Sequence, residues 1–260
     1  MSPTRDIQVF PTAANLFHAA AEEFMRVART AIGAQGRFTV ALAGGSTPKG
    51  LYSLLATNYA SFAWNRVFLF FGDERHVPPT DAESNYGMVN ETLLSKIQIP
   101  GENVFRVLAE NTDATAAASD YENKIRKFFQ LKAGEFPRFD LILLGMGPDG
   151  HTASLFPDSA GLNDQQHIVI ANWVEKFKQH RITFTFPVLN RAAEILFLVC
   201  GADKATVLAQ VLKGESAAPP SPAPPSNATQ SHALPSQVVQ PSDGKLLWMI
   251  DEAAAAKLPR

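Results

Sequence analysis

An α/β architecture, a mostly parallel sheet with helices on both faces, is what this amino-acid sequence predicts, and three observations predict it. Short apolar runs alternate along the chain with segments of helical periodicity. Several of those runs are apolar at nearly every position, as strands covered on both faces must be. Glycine-rich and charged segments follow directly on the runs, at the carboxyl ends where open parallel sheets hold their ligands.

In chain order, residues 13–32 form the first expected helix. Leu16, Ala20, Phe24, Val27 and Ala31 recur three or four positions apart and share one face. Residues 38–42 form a strand that runs into Gly44-Gly45-Ser46-Thr47-Pro48, and a helix through Leu51, Leu54 and Leu55 follows. Residues 67–71 are a wholly apolar strand. Residues 83–94 and 115–131 read as helices, and 139–144 as a buried strand that ends at Gly145-Met146-Gly147-Pro148-Asp149-Gly150-His151. A short strand at 168–171, an alternating strand at 181–186, an apolar strand at 195–199 and a helix at 204–212 complete the series. Residues 217–240 are dense in Pro, Ser, Ala and Asn and have no hydrophobic period, which predicts a mobile or extended surface loop. The apolar segment 246–250 follows it, so the loop reads as an insertion in a single domain spanning 1–260.

Composition narrows the classes. The chain has 260 residues, 46% of them hydrophobic, which suffices for a substantial core. The formal net charge is −2, without the basic excess of a nucleic-acid binder. Cys200 is the one cysteine, so no intrachain disulfide forms and nothing demands an oxidising compartment. Residues 1–10 have no apolar signal region, and no apolar run approaches a membrane span, so a cytoplasmic protein is expected.

Three segments can carry chemistry. Gly44 and Gly45 let the backbone turn tightly, and the helix start behind them offers N–H donors and a positive dipole end that suit a phosphate. Ser46 and Thr47 add hydroxyls, and Pro48 fits the first helical turn. The same residues equally describe an ordinary capped strand–helix turn. In Gly72-Asp73-Glu74-Arg75-His76 the charges stand directly after an apolar strand, where they face a crevice or simply end the strand in solvent. Asp149-Gly150-His151 is a turn that projects a carboxylate and an imidazole off the sheet, and an imidazole titrates near neutral pH. His76 is a second candidate base. His18, His167, His180 and His232 lack such a setting. Arg181 opens an alternating strand. Lys204 falls in the first turn of a helix for which Asp203 is a cap, a position that an anion nearby would explain. No metal-ligand spacing, serine-hydrolase elbow or dinucleotide fingerprint is present, and Cys200 reads as a packed strand end.

Taken together, these segments resemble the 6-phosphogluconolactonases, in a fold group that also holds glucosamine-6-phosphate deaminases and ribose-5-phosphate isomerases. The resemblance runs from Ala41 to Pro48, through Gly72-Asp73-Glu74-Arg75 and Glu83-Ser84-Asn85-Tyr86, to Gly145 through Pro157, Arg181-Ile182-Thr183 and Leu246-Leu247-Trp248. It implies a Rossmann-like fold and hydrolysis of 6-phosphogluconolactone to 6-phosphogluconate, in the oxidative pentose phosphate pathway. His151 would be the base and Arg75 the oxyanion partner, with Asp149 or Asp73 orienting the imidazole. Gly44, Gly45, Ser46, Thr47, Arg181 and Lys204 would hold the phosphate. The implied partner is a phosphorylated sugar lactone, with no cofactor, metal, nucleic acid or membrane, and a monomer is expected over an oligomer. Deaminases carry a Glu five residues after the histidine, where Phe156 stands here. A deaminase or isomerase and a non-catalytic sugar-phosphate sensor are the alternative readings.

Overall fold

The apolar runs form strands because each is covered from above and below. The computed structural model describes residues 5–213 and 233–259. Its strands are β1 (Arg5–Phe10), β2 (Phe38–Leu42), β3 (Val67–Phe71), β4 (Asp73–Arg75), β5 (Val104–Phe105), β6 (Leu141–Leu144), β7 (Val169–Val174), β8 (Gln179–Phe184), β9 (Glu194–Val199) and β10 (Lys245–Asp251). Its helices are α1 (Ala13–Gln35), α2 (Ser46–Asn58), α3 (Asn85–Thr92), α4 (Ala114–Phe129), α5 (Phe186–Leu189), α6 (Ala205–Lys213), α7 (Pro235–Val238) and α8 (Glu252–Ala255). Seven strands make one sheet in the order β1-β10-β9-β6-β2-β3-β5, with every neighbouring pair parallel.

Successive residues of a strand point to opposite faces, and here they divide between two cores. On one side Val40, Leu69, Leu143, Leu196 and Leu247 meet Leu16, Phe24, Leu51 and Leu55 of α1 and α2. On the other Ala41, Phe70, Ile142, Phe197 and Trp248 meet Tyr121 and Ile125 of α4 and Leu208 of α6. Each fully buried Leu, Val or Phe contributes about 1.5–3 kcal/mol over leaving it exposed, so a polar residue at any of these positions is costly on either face. Helix ends follow local chemistry. Thr12 accepts the Asn15 N–H at 3.2 Å to cap α1, and Gly36, at φ 77°, closes it.

Five details differ from the sequence reading. Residues 73–75 are not a loop after β3. They form β4, which pairs antiparallel with β8, and β8 pairs with β7 in a separate three-stranded sheet. The strand expected over 181–186 ends at Phe184, because Phe186 and Pro187 start α5. Residues 5–10, unassigned from sequence, form the edge strand β1 against β10. The helix expected at 83–94 begins at Asn85, with Ser84 as its cap. Of the loop expected at 217–240, residues 217–232, and with them His232, lie outside the described residues. Residues 233–240 are no mobile loop. Pro235, Ser236 and Val238 are buried in or beside α7, because this segment fills space against the Asp149–His151 turn. Among the described residues, no helix is long and apolar enough to cross a membrane.

Candidate active site

The turns at the carboxyl ends of β2, β6 and β9 surround a cleft of about 250 Å³, which Asp73 and Arg75 of β4 also line. The first turn, Ala43 to Pro48, is held from behind by Tyr52 of α2, whose hydroxyl donates to the Ala43 carbonyl at 2.7 Å and accepts its N–H at 3.0 Å. Gly45, at φ 98°, makes the entry to α2, and no side chain caps that helix start. Gly44 has no room for a side chain, because a Cβ there would lie 1.9 Å from the Asn85 amide oxygen. Ser46, Thr47 and Lys204 face the same cleft.

Lys204 ends a short 3-10 turn that precedes α6, not the first turn of the helix itself. Asp203 does not cap the helix. Its carboxylate takes the Lys204 ammonium at 2.6 Å. Cys200 is not simply packed at a strand end, because it also lines the cleft. Burial and the neighbouring Asp251 push its thiol up to about 12, so it stays protonated at neutral pH and is a poor nucleophile.

The second turn holds His151. The Gly150 N–H donates to the Gly147 carbonyl at 3.0 Å, and Gly150 takes φ 79°. The imidazole lies across Gly147, where a Cβ would stand 2.0 Å from the ring. Asp149 bonds the ring at Nδ1. Its carboxylate selects the tautomer with the proton on Nδ1 and leaves the Nε2 lone pair free. Phe156 stacks on the imidazole, with ring centroids 4.0 Å apart and planes at 25°. Burial disfavours the charged form of Asp149, yet the bond and charge of His151 and the ammonium of Lys176 outweigh it. They hold the carboxyl well below the usual range.

The carboxylates separate clearly. Asp149 touches His151 but is not on the cleft wall. Asp73 is on the wall, and its oxygens accept from Ser154 Oγ at 2.7 Å and from the Asn85 amide at 3.2 Å. Glu74, buried beneath, accepts N–H bonds from Arg75, Asn85 and Tyr86 at 2.7–2.8 Å, which fixes α3 against β4. Burial raises its pKa, and those N–H bonds work against the rise.

The cations divide as well. Arg75 lines the cleft and donates through Nη1 to the Glu83 carbonyl. Arg181 is opposite it in the β4–β8 register and buried at 6% exposure, with its guanidinium 5.0 Å over the Phe177 ring. Both leave a buried Nε–H without a partner. Burial and the charge of Arg75 lower the pKa of Arg181. Two adjacent guanidiniums with unfilled donors favour an anion between or beside them. Arg181 is not among the cleft-lining residues that include Ser46, Thr47 and Lys204. His76 bonds the Asn111 carbonyl at 2.6 Å and is also absent from the cleft wall. Among the described residues, no three His, Cys, Asp or Glu side chains gather as a metal site.

Sequence reasoning missed several contributors. Lys176 and Ser236 gave no local signal. Asn85, Ser154 and Phe156 were marked only as parts of the resemblance. A larger cavity, about 480 Å³, opens at the amino ends of the strands beside Arg37, Arg138 and Arg191. Its arginines favour an anion, but Arg138 is already paired with Asp243 and no histidine lies on its wall. The histidine, the uncapped helix start and the glycine loop all meet at the smaller cleft.

A family model described as glucosamine-6-phosphate isomerases/6-phosphogluconolactonase matches residues 11–248. A 6-phosphogluconolactonase of Nostoc sp. is 38% identical over 254 residues, 98% of each chain. The 6-phosphogluconolactonase of Homo sapiens is 39% identical and covers 97% of this chain and 93% of its own. The solved structure of 6-phosphogluconolactonase from Trypanosoma brucei aligns with a TM-score of 0.84 at 28% identity, over 99% of this chain and 100% of that one. A monomeric glucosamine-6-phosphate deaminase aligns with a TM-score of 0.74 at 19% identity, a likeness of fold alone.

Proposed function

The chain belongs to the glucosamine-6-phosphate isomerase/6-phosphogluconolactonase family, and on that premise we propose that it hydrolyses 6-phosphogluconolactone to 6-phosphogluconate, a step of the oxidative pentose phosphate pathway. The observation that carries the choice within the family is Phe156 stacked on His151. A phenyl ring there supports the orientation of a base and cannot move a proton, as the Glu of the deaminase branch does. The relatives named as lactonases, similar over nearly the whole chain, support the same choice.

In this reading a water stands between His151 and the lactone carbonyl. Nε2 takes a proton as the water oxygen bonds to the carbonyl carbon, and Asp149 steadies the imidazolium that forms. Negative charge gathers on the carbonyl oxygen, where Arg75 meets it, with the glycine-loop N–H groups as the rival donors. The bond from that carbon to the ring oxygen then breaks. The imidazolium returns its proton to the departing oxygen, which becomes the sugar hydroxyl. Gly44, Gly45, Ser46, Thr47 and Lys204 hold the phosphate at the start of α2. Arg181, beside Arg75, extends the positive field toward it. Asp73, held by Ser154 and Asn85, accepts from sugar hydroxyls. A lactone is an activated ester, so the chemistry calls for no cofactor or metal. We place the enzyme in the cytoplasm, as a monomer of one domain with no nucleic-acid or membrane partner.

A coupled assay on freshly prepared 6-phosphogluconolactone, run beside glucosamine 6-phosphate, tests the reading. We expect acceleration over spontaneous hydrolysis in buffer and no ammonia from the amino sugar. Ammonia release without lactone acceleration would favour the deaminase.

A further inference from the structure

The segment Trp173-Val174-Glu175-Lys176-Phe177-Lys178 joins β7 to β8 and looks like any charged hairpin tip in solvent. In the fold it bends over the turn that carries His151. Lys176 Nζ donates to Asp149 Oδ2 at 3.1 Å, while the other oxygen of the same carboxylate holds His151 Nδ1. Phe177 meets Phe156 edge-on at 5.7 Å, and Phe156 stacks on the imidazole. Two successive residues of the tip therefore reach one ring by two routes, one polar and one apolar.

The remaining tip charges are occupied elsewhere. Lys178 pairs with Glu175, which also accepts from the Trp173 indole at 2.9 Å. The Lys176 side chain is 56% exposed, so its ion pair adds little to folding stability. Its effect falls on orientation. A carboxylate bonded through one oxygen alone can rotate its free oxygen toward water. With both oxygens engaged, the direction in which Asp149 holds the ring is set.

We propose that Lys176 is a positioning residue for the base, acting through Asp149 to hold the imidazole in its working orientation and to keep a fixed positive charge behind it. This rests on the lactonase reading above. The charge has a purpose during turnover. A base must give its proton to the departing oxygen, and an imidazolium backed by an uncompensated carboxylate retains it. Lys176 partly neutralises that carboxylate. The other charged groups around the turn are Asp73 and Arg75 from β4, Arg181 from β8 and Lys204 on the far wall of the cleft. None of them has a bond to Asp149 among the described contacts.

Lys176→Ala and Lys176→Met should each lower kcat on the order of tenfold, the low end of the loss when an outer partner of a working histidine is removed. KM should change by less than about twofold, because Lys176 does not line the cleft that receives the phosphate. Removing a cation favours the imidazolium, so the acid limb of the kcat/KM profile should move to higher pH. Lys176→Arg, which keeps the charge, should restore both rate and limb. An unmoved limb with wild-type kcat in the Ala variant would overturn the proposal. So would failure of Arg to rescue, or a loss confined to KM. Nitrogen-15 NMR of the His151 ring, in wild type and Lys176→Ala, reports tautomer and titration midpoint without any turnover. A higher midpoint in the variant supports the proposal, and identical spectra reject it. If wild type fails to accelerate lactone hydrolysis, the lactonase reading falls and the NMR comparison still decides the coupling.

Discussion

The two ends of the cleft are built differently. The end proposed to take the phosphate is mostly backbone: the glycine loop, the start of α2, and one lysine. Its main support is local, Tyr52 reaching back nine residues to Ala43. The end proposed to hold the base adds supports from distant segments to its local contacts. His151 is held by Phe156, by Gly147 beneath the ring, and through Asp149 by Lys176 from the hairpin. Its turn is clamped from α7, where Ser236 gives both its N–H (3.0 Å) and its hydroxyl (2.9 Å) to the Gly150 carbonyl. An anion is satisfied by N–H groups that any sequence supplies once the backbone turns correctly. A general base needs one side chain at one angle, and several neighbours must agree on it.

The division predicts opposite kinetic signatures, and the largest should come from the base itself. His151→Ala should keep the fold by circular dichroism and lose about 10²–10⁴ in kcat. Undiminished turnover would remove the base end from the mechanism.

A subtler attack on the same end is Gly147→Ala. The new methyl would stand 2.0 Å from the imidazole, so the ring must shift. Small misplacements of a reacting group cost up to about 10² in rate. We therefore expect a fall of that order in kcat with little change in KM. A kcat within about twofold of wild type would show that the orientation of His151 is not set by that contact.

At the other end, Lys204→Ala should raise KM for the phosphorylated lactone by roughly tenfold to a hundredfold. That corresponds to the roughly 1.5–3 kcal/mol of a hydrogen bond to a charged group. Unphosphorylated gluconolactone should be handled almost as before. Equal losses on both substrates would erase the distinction between the two ends.

The smallest effect should follow Ser236→Ala, which removes the hydroxyl bond to Gly150 and leaves the N–H bond in place. A loss of about 1 kcal/mol in a denaturant titration is expected, with kcat down by about twofold to threefold. No change in either would mean that α7 covers the catalytic turn without supporting it.

Much of the fold was legible before the structure, and its gaps have physical causes. β2, β3, β6 and β9 announced themselves because strands buried on both faces need an apolar residue at nearly every position. β1 did not, since an edge strand with four of its six residues exposed carries no such run, and its pairing is decided by the open side of β10. β4 was hidden because Asp73-Glu74-Arg75 has no strand propensity of its own. Its pairing comes from β8, over a hundred residues later. α7 was masked by a Pro-rich surrounding in which Val238 and Val239 find buried places only against the rest of the molecule.

In the site the same boundary applies. The sequence by itself determined the glycine loop, the Asp-Gly-His turn and the apolar strands that deliver them to one edge, because each is specified by residues adjacent in the chain. It placed Asp73 and Asp149 equally well as partners for His151. Only the tertiary structure separated them, by engaging Asp73 with Ser154 and Asn85 and leaving Asp149 on the ring. Lys176 and Ser236 likewise became neighbours of the turn only on folding. Such contacts join residues 12 to 86 positions apart. Their geometry is set by sheet register and core packing, to which local sequence carries no key.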